Sequence, residues 1–87
     1  MNSYDLVVTT PDCELFNGMA QMLTVRGALG DLAILALHAP FVTSVKNGEC
    51  KIIAENGTVV KANTDGGILT VSGTKTVYLT SSFTKIE

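Results

Sequence analysis

Apolar and polar residues alternate with a period of two over short stretches along most of this 87-residue chain, and no stretch shows the 3.6-residue spacing of an amphipathic helix. Tyr4, Leu6 and Val8 interleave with Asp5, Val7 and Thr9, which predicts a strand stopped by Thr10-Pro11-Asp12. Residues 13–16 predict a second short strand. Asn17-Gly18 suits the positive φ values of a tight hairpin turn, so residues 19–25 are expected to return beside it. Gly27 and Gly30 are spaced for chain reversals. The apolar run 32–37 reads as a buried strand, and His38-Ala39-Pro40 as the corner that ends it, because a residue before proline is driven to extended conformations. Residues 41–46 form the next strand, ended by Asn47-Gly48. Residues 50–54 then pair with 59–63 across Glu55-Asn56-Gly57-Thr58. Asp65-Gly66-Gly67 makes a further tight reversal before 68–72. Gly73-Thr74 leads into 75–79, where Val77 and Leu79 alternate with Thr76 and Tyr78, and residues 80–86 are either a last strand or a frayed tail.

Nine or ten strands of four to seven residues, with turn signals every eight to twelve, predict an all-β single domain over residues 1–87, a β-sandwich or flattened barrel. The composition agrees: hydrophobic residues make up 46%, charged ones only 16%, and Thr, Val and Gly recur. A mean hydropathy of +0.34 with so little charge implies that part of the surface is covered by another protein. The formal net charge of -2, with basic residues scattered at Arg26, Lys46, Lys51, Lys61, Lys75 and Lys85, gives no stripe to follow a phosphate backbone, so nucleic acid is not the expected partner. No apolar run is long enough to span a bilayer as a helix, and the N-terminus has no basic stretch followed by an apolar one. Cys13 and Cys50 sit in no Cys-x-x-Cys pair and are expected as free thiols. Ligands for zinc are too few.

Catalytic signals are weak. Gly27-Ala28-Leu29-Gly30 lacks the Lys-Ser/Thr and the helix that would complete a phosphate cradle. His38 is the only histidine and has no Ser or Cys nucleophile in a motif beside it, and the eight carboxylates fall mostly in turns without an acid–base spacing. Asn56-Gly57-Thr58 matches a glycosylation sequon, but a hairpin turn accounts for it. The residues predict an interaction domain, with a small ligand- or carbohydrate-binding β-sandwich module as the alternative. Such a module would need exposed aromatics, and the chain has no Trp.

The order Val25-x-Gly27-x-x-Gly30-Asp31-Leu32-x-Ile34-Leu35-x-x-His38-Ala39-Pro40-x-x-Thr43, followed by Gly48, Gly66-Gly67-Ile68-Leu69-x-Val71 and Val77-x-Leu79, resembles the N-terminal domain of the epsilon subunit of F-type ATP synthase, over nearly the whole chain. The resemblance implies a ten-stranded β-sandwich in the central stalk, without cofactor, metal site or active site of its own, bound to the gamma subunit and to the ring of c subunits. By this likeness Thr10, His38, Ala39, Pro40 and Thr43 would meet gamma, and Gly27, Ala28, Leu29, Gly30, Asp31 and Leu32 would meet the c ring. It also implies a place on the cytoplasmic face of a bacterial inner membrane, or on the stromal side of a thylakoid. Members of the family commonly continue into a two-helix hairpin. No part of these 87 residues has the pattern for one, so a short form without that hairpin is expected, natural or truncated.

Overall fold

The computed structural model describes residues 3–27, 30–35, 40–72 and 75–86. Among them are nine strands and no helix: β1 (Tyr4–Thr9), β2 (Glu14–Gly27), β3 (Gly30–Leu35), β4 (Phe41–Val45), β5 (Gly48–Ala54), β6 (Val59–Thr64), β7 (Gly67–Val71), β8 (Lys75–Thr80) and β9 (Phe83–Ile86). They form the two layers of a sandwich. Sheet I has the order β2–β1–β8–β7–β4, in which only β1 and β8 run parallel, and the end of β4 meets the far end of β2 again at Val45 opposite Gly27. Sheet II has the order β3–β2–β5–β6–β9 and is antiparallel throughout.

Strand β2 belongs to both sheets, and this corrects the expected hairpin at Asn17-Gly18. Its first half pairs with β1, Gly18 lying opposite Leu6, and its second half lies between β3 and β5. Asn-Gly permits a turn but does not compel one. Here Gly18 lies opposite Leu6 within an unbroken ladder, and its φ is not positive. The register shifts between Ala20 and Met22. That irregularity moves the inward set from Phe16 and Ala20 to Leu23 and Val25, so one strand keeps an apolar face toward the core in both halves. Counting β2 once in each sheet gives the ten strand segments that the resemblance implies.

Other expectations need adjusting. The strand predicted over 32–37 begins earlier, at Gly30, and is half-buried rather than buried: Ile34 is inside while Leu35 is 54% exposed. Residues 36 and 37 lie outside the described residues. Strands β4 and β5 are not paired, so Asn47 carries the chain from one sheet to the other; Asp65-Gly66 does the same between β6 and β7. At this second crossing glycine is required. Gly66 has φ +88, and a Cβ on it would strike the carbonyl oxygen of Val45, while a Cβ on Gly67 would strike that of Leu79. The strand predicted over 59–63 and the hairpin of β7 with β8 agree with the sequence, and the tail is a strand, β9, paired with β6.

The core lies between the sheets and holds Leu6, Val8, Leu23, Val25, Ile34, Ile52, Leu69 and Tyr78, among others. Cys50 is buried there as a free thiol, and burial pushes its pKa up to about 12; Cys13 is free and exposed.

Candidate functional site

Strand β8 is inside out. Its buried positions are Thr76, Tyr78 and Thr80, and its outward positions are Val77 and Leu79. The inward polar groups are satisfied: the Tyr78 hydroxyl lies 2.7 Å from Thr64 Oγ1, and Thr80 Oγ1 is 2.7 Å from the Gly66 carbonyl oxygen. Burial raises the Tyr78 phenol pKa, an effect opposed by its hydrogen bonds to Thr64 and Thr80. Solvation does not require aliphatic residues on the outside of this strand.

The neighbouring strands extend the pattern. The registers align Val7, Val77, Thr70 and Val42 in one row across the outer face of sheet I, and Thr9, Leu79, Ile68 and Ser44 in the next. Val42 is 67% exposed, Ile68 47% and Leu79 45%, with Met19 and Leu15 on the adjoining part of β2 also exposed. Val7 is buried although it is not a member of the core cluster, as expected for a residue in the middle of an apolar outer face. Four β-strands at roughly 4.8 Å spacing make each row about 14 Å wide, a platform for a partner protein rather than a pocket for a small molecule. A shallow hollow lined by Pro11, Ile68 and Leu79 marks one end of it.

Thr10 and Thr43 stand at opposite ends of the second row, next to Thr9 and Ser44. The Thr10 turn is fixed by its amide donating to the Cys13 carbonyl at 2.9 Å and by the Cys13 amide donating to Thr10 Oγ1 at 3.2 Å. Thr43 pairs with Leu69 and so faces the inner side of β4, half-buried near the sandwich margin; Pro40 is exposed at the start of that strand. His38 and Ala39 lie outside the described residues. The structure thus places Thr10 and Pro40 at the edge of the platform and Thr43 on the inner side of β4, whereas the platform's centre was missed by the sequence reading. The signal was there in the Val77 and Leu79 alternation, but an apolar stripe is ordinarily assigned to the core.

Of the second group, Gly27 and Leu32 point into the sandwich, whereas Gly30 and Asp31 are exposed. Asp31 lies opposite Arg26 in the β2–β3 ladder. Ala28 and Leu29 lie outside the described residues.

Chemistry of other kinds has little support among the described residues. They contain no group of three or more His, Cys, Asp or Glu that could hold a metal. All five aromatic residues are buried or half-buried, and the Tyr4 hydroxyl donates inward to the Ile34 carbonyl at 2.7 Å, so no sugar-stacking platform is presented.

A model of the family described as "ATP synthase, Delta/Epsilon chain, beta-sandwich domain" matches residues 3–86. The chain belongs to this family. An ATP synthase epsilon chain of Brevibacillus brevis is 33% identical over 79 residues, which are 91% of this chain and 60% of that relative, so the chain spans about 60% of its length. A chain in the mitochondrial ATP synthase of Euglena gracilis (OSCP, F1 and c-ring) shares the fold with a TM-score of 0.88 at 21% identity, over 95% of this chain and 53% of that one. A chain in the central stalk and c-ring of the Tetrahymena thermophila mitochondrial enzyme does so with a TM-score of 0.76 at 17% identity, over 94% and 66%. The delta/epsilon family is thus the setting for the apolar platform.

Proposed function

We propose that this chain serves as a non-catalytic central-stalk subunit of an F-type ATP synthase, joining the gamma subunit to the c ring so that ion flow is coupled to ATP synthesis. The observation that carries this reading is the inside-out polarity of sheet I. A family member with Val42, Ile68, Val77 and Leu79 turned outward has a face suited to permanent cover by a partner, and gamma is the partner assigned to it. Thr10, His38, Ala39, Pro40 and Thr43 rim that contact, and residues 27–32, with Asp31 as the charged member, reach toward the polar loops of the c ring. The chain is then peripheral to the membrane through the complex, on the cytoplasmic side in a bacterium.

The test is reconstitution with purified gamma and c ring, with photocrosslinkers at Val42 and at Asp31. Crosslinks from Val42 to gamma and from Asp31 to subunit c are expected. A chain that co-purifies with neither, or a Val42 probe that reaches only solvent, overturns the reading.

A further inference from the structure

The apolar platform ends in a hollow whose chemistry the central-stalk reading leaves open. Pro11, Ile68 and Leu79 are its apolar members, Gly66 and Gly67 lie between them, and Asp65, Thr80 and Ser81 complete the lining of a volume of about 410 Å³. The glycines keep that part bare, because a Cβ at either one would strike a backbone carbonyl oxygen, of Val45 or of Leu79. The buried hydroxyl is already used: Thr80 Oγ1 lies 2.7 Å from the Gly66 carbonyl oxygen and 3.0 Å from that of Ser82, and shares its proton between them. The Asp65 carboxylate differs. It is exposed, and among the described residues it takes part in no ion pair or hydrogen bond. After burial, which is the main cause, its charge also helps to raise the Tyr78 pKa, as an anion without a counter-cation does.

We propose that this hollow takes an arginine side chain from the partner that covers sheet I, with the guanidinium flat over the glycine backbone and its N–H groups on the Asp65 carboxylate. The proposal rests on the gamma contact inferred above and names one group that gamma brings to it. The unpaired carboxylate calls for a cation, and the shape of the site decides which. A guanidinium is planar, weakly hydrated and rich in donors, so it covers a shallow apolar surface while its methylene stem lies along Ile68 and Leu79; an ammonium is a compact, strongly hydrated point charge that would leave the hollow part-filled. Ile68 and Leu79 belong both to the hollow and to the second row of the platform, so one partner surface covers the two. Such cover removes water from around the ion pair and makes it stronger than an exposed one.

Purified gamma is the probe. Its binding to the 87-residue chain, followed by isothermal titration over a range of salt concentrations, is expected to weaken about 5- to 30-fold in Asp65→Asn and to lose part of its salt dependence. Glu49→Gln, an exposed carboxylate change on the outer face of sheet II, is the control and should leave the affinity within about twofold. Phenylglyoxal, which modifies arginine selectively, is then applied to gamma alone and to its saturated complexes with the parent chain and with Asp65→Asn. One gamma arginine is expected to be protected by the parent chain and to regain its reactivity in the complex with Asp65→Asn. Unchanged affinity in Asp65→Asn, or the same pattern of arginine protection in both complexes, overturns the proposal. Weakening by Val42→Thr where Asp65→Asn has no effect does so while leaving the gamma contact standing, and failure of the parent chain to bind gamma overturns both.

Discussion

Replacing Val42, Ile68 and Leu79 together by Thr would separate what the outer face of sheet I does for the fold from what it does for a partner. Their exposures of 67%, 47% and 45% leave about one and a half full aliphatic side chains open to water in the free chain. Complete burial of such a side chain contributes about 1.5–3 kcal/mol, so covering the three contributes roughly 2–4.5 kcal/mol to association. Thr keeps the β-branched form and one methyl group, so the triple variant should lose about 2–3 kcal/mol, an affinity for gamma some 30- to 150-fold weaker. Stability should change less than affinity, because about half of the surface of these side chains already faces solvent. Leu69→Ala, one residue along β7 and fully buried, is the control: it should cost about 2–5 kcal/mol of folding stability. Isothermal titration against gamma and thermal unfolding by circular dichroism measure the two quantities. An affinity within about threefold of the parent, with unfolding unchanged, would refute the assignment of this face.

Three further outcomes follow from the core and its crossings. Gly67→Ala, whose Cβ would meet the Leu79 carbonyl oxygen, should destabilise by about 3 kcal/mol or more in denaturant titration, and an effect below about 1 kcal/mol would show that β8 can give way. Tyr78→Phe leaves Thr64 Oγ1 buried without its 2.7 Å partner and should cost about 1–3 kcal/mol, whereas Tyr4→Phe frees only a carbonyl of the half-exposed β3 and should cost less. Cys50 titrates near its ordinary value when unfolded but at about 12 when folded, so the unfolded chain releases its proton first. The stabilisation is complete below about pH 9 and is lost between about 9 and 12, at up to about 1.4 kcal/mol per pH unit. Cys50→Ala should flatten that slope, although the buried phenols of Tyr4 and Tyr78 retain some of it.

The all-β class, the β5–β6 and β7–β8 hairpins and most strand positions were legible because they rest on period-two alternation and local turn chemistry. Asn17-Gly18 was misread because a dipeptide reports only what the backbone can do. Whether it turns is decided by β1, which offers an unbroken ladder from Tyr4 to Val8. Asn47 and Asp65-Gly66 carry equally good turn signals yet change sheets, since local sequence does not say which strand lies on the far side. The platform was hidden for another reason. Alternation reveals two faces but not which one looks inward, and in β8 the satisfied hydroxyls of Tyr78 and Thr80 reverse the usual choice.

The passage of β2 from one sheet into the other has a mechanical consequence. In a sandwich joined only by loops, sliding of one layer over the other is opposed by side-chain packing and slack connections. Here a force entering through sheet I passes along a continuous extended backbone into the centre of sheet II, where hydrogen-bonded neighbours flank it on both edges. Those bonds lie across the strand and are loaded together in shear instead of being opened one after another. Two partners pulling on opposite faces would therefore be connected by a stiff covalent strut, and the domain would yield as a block before its layers slip.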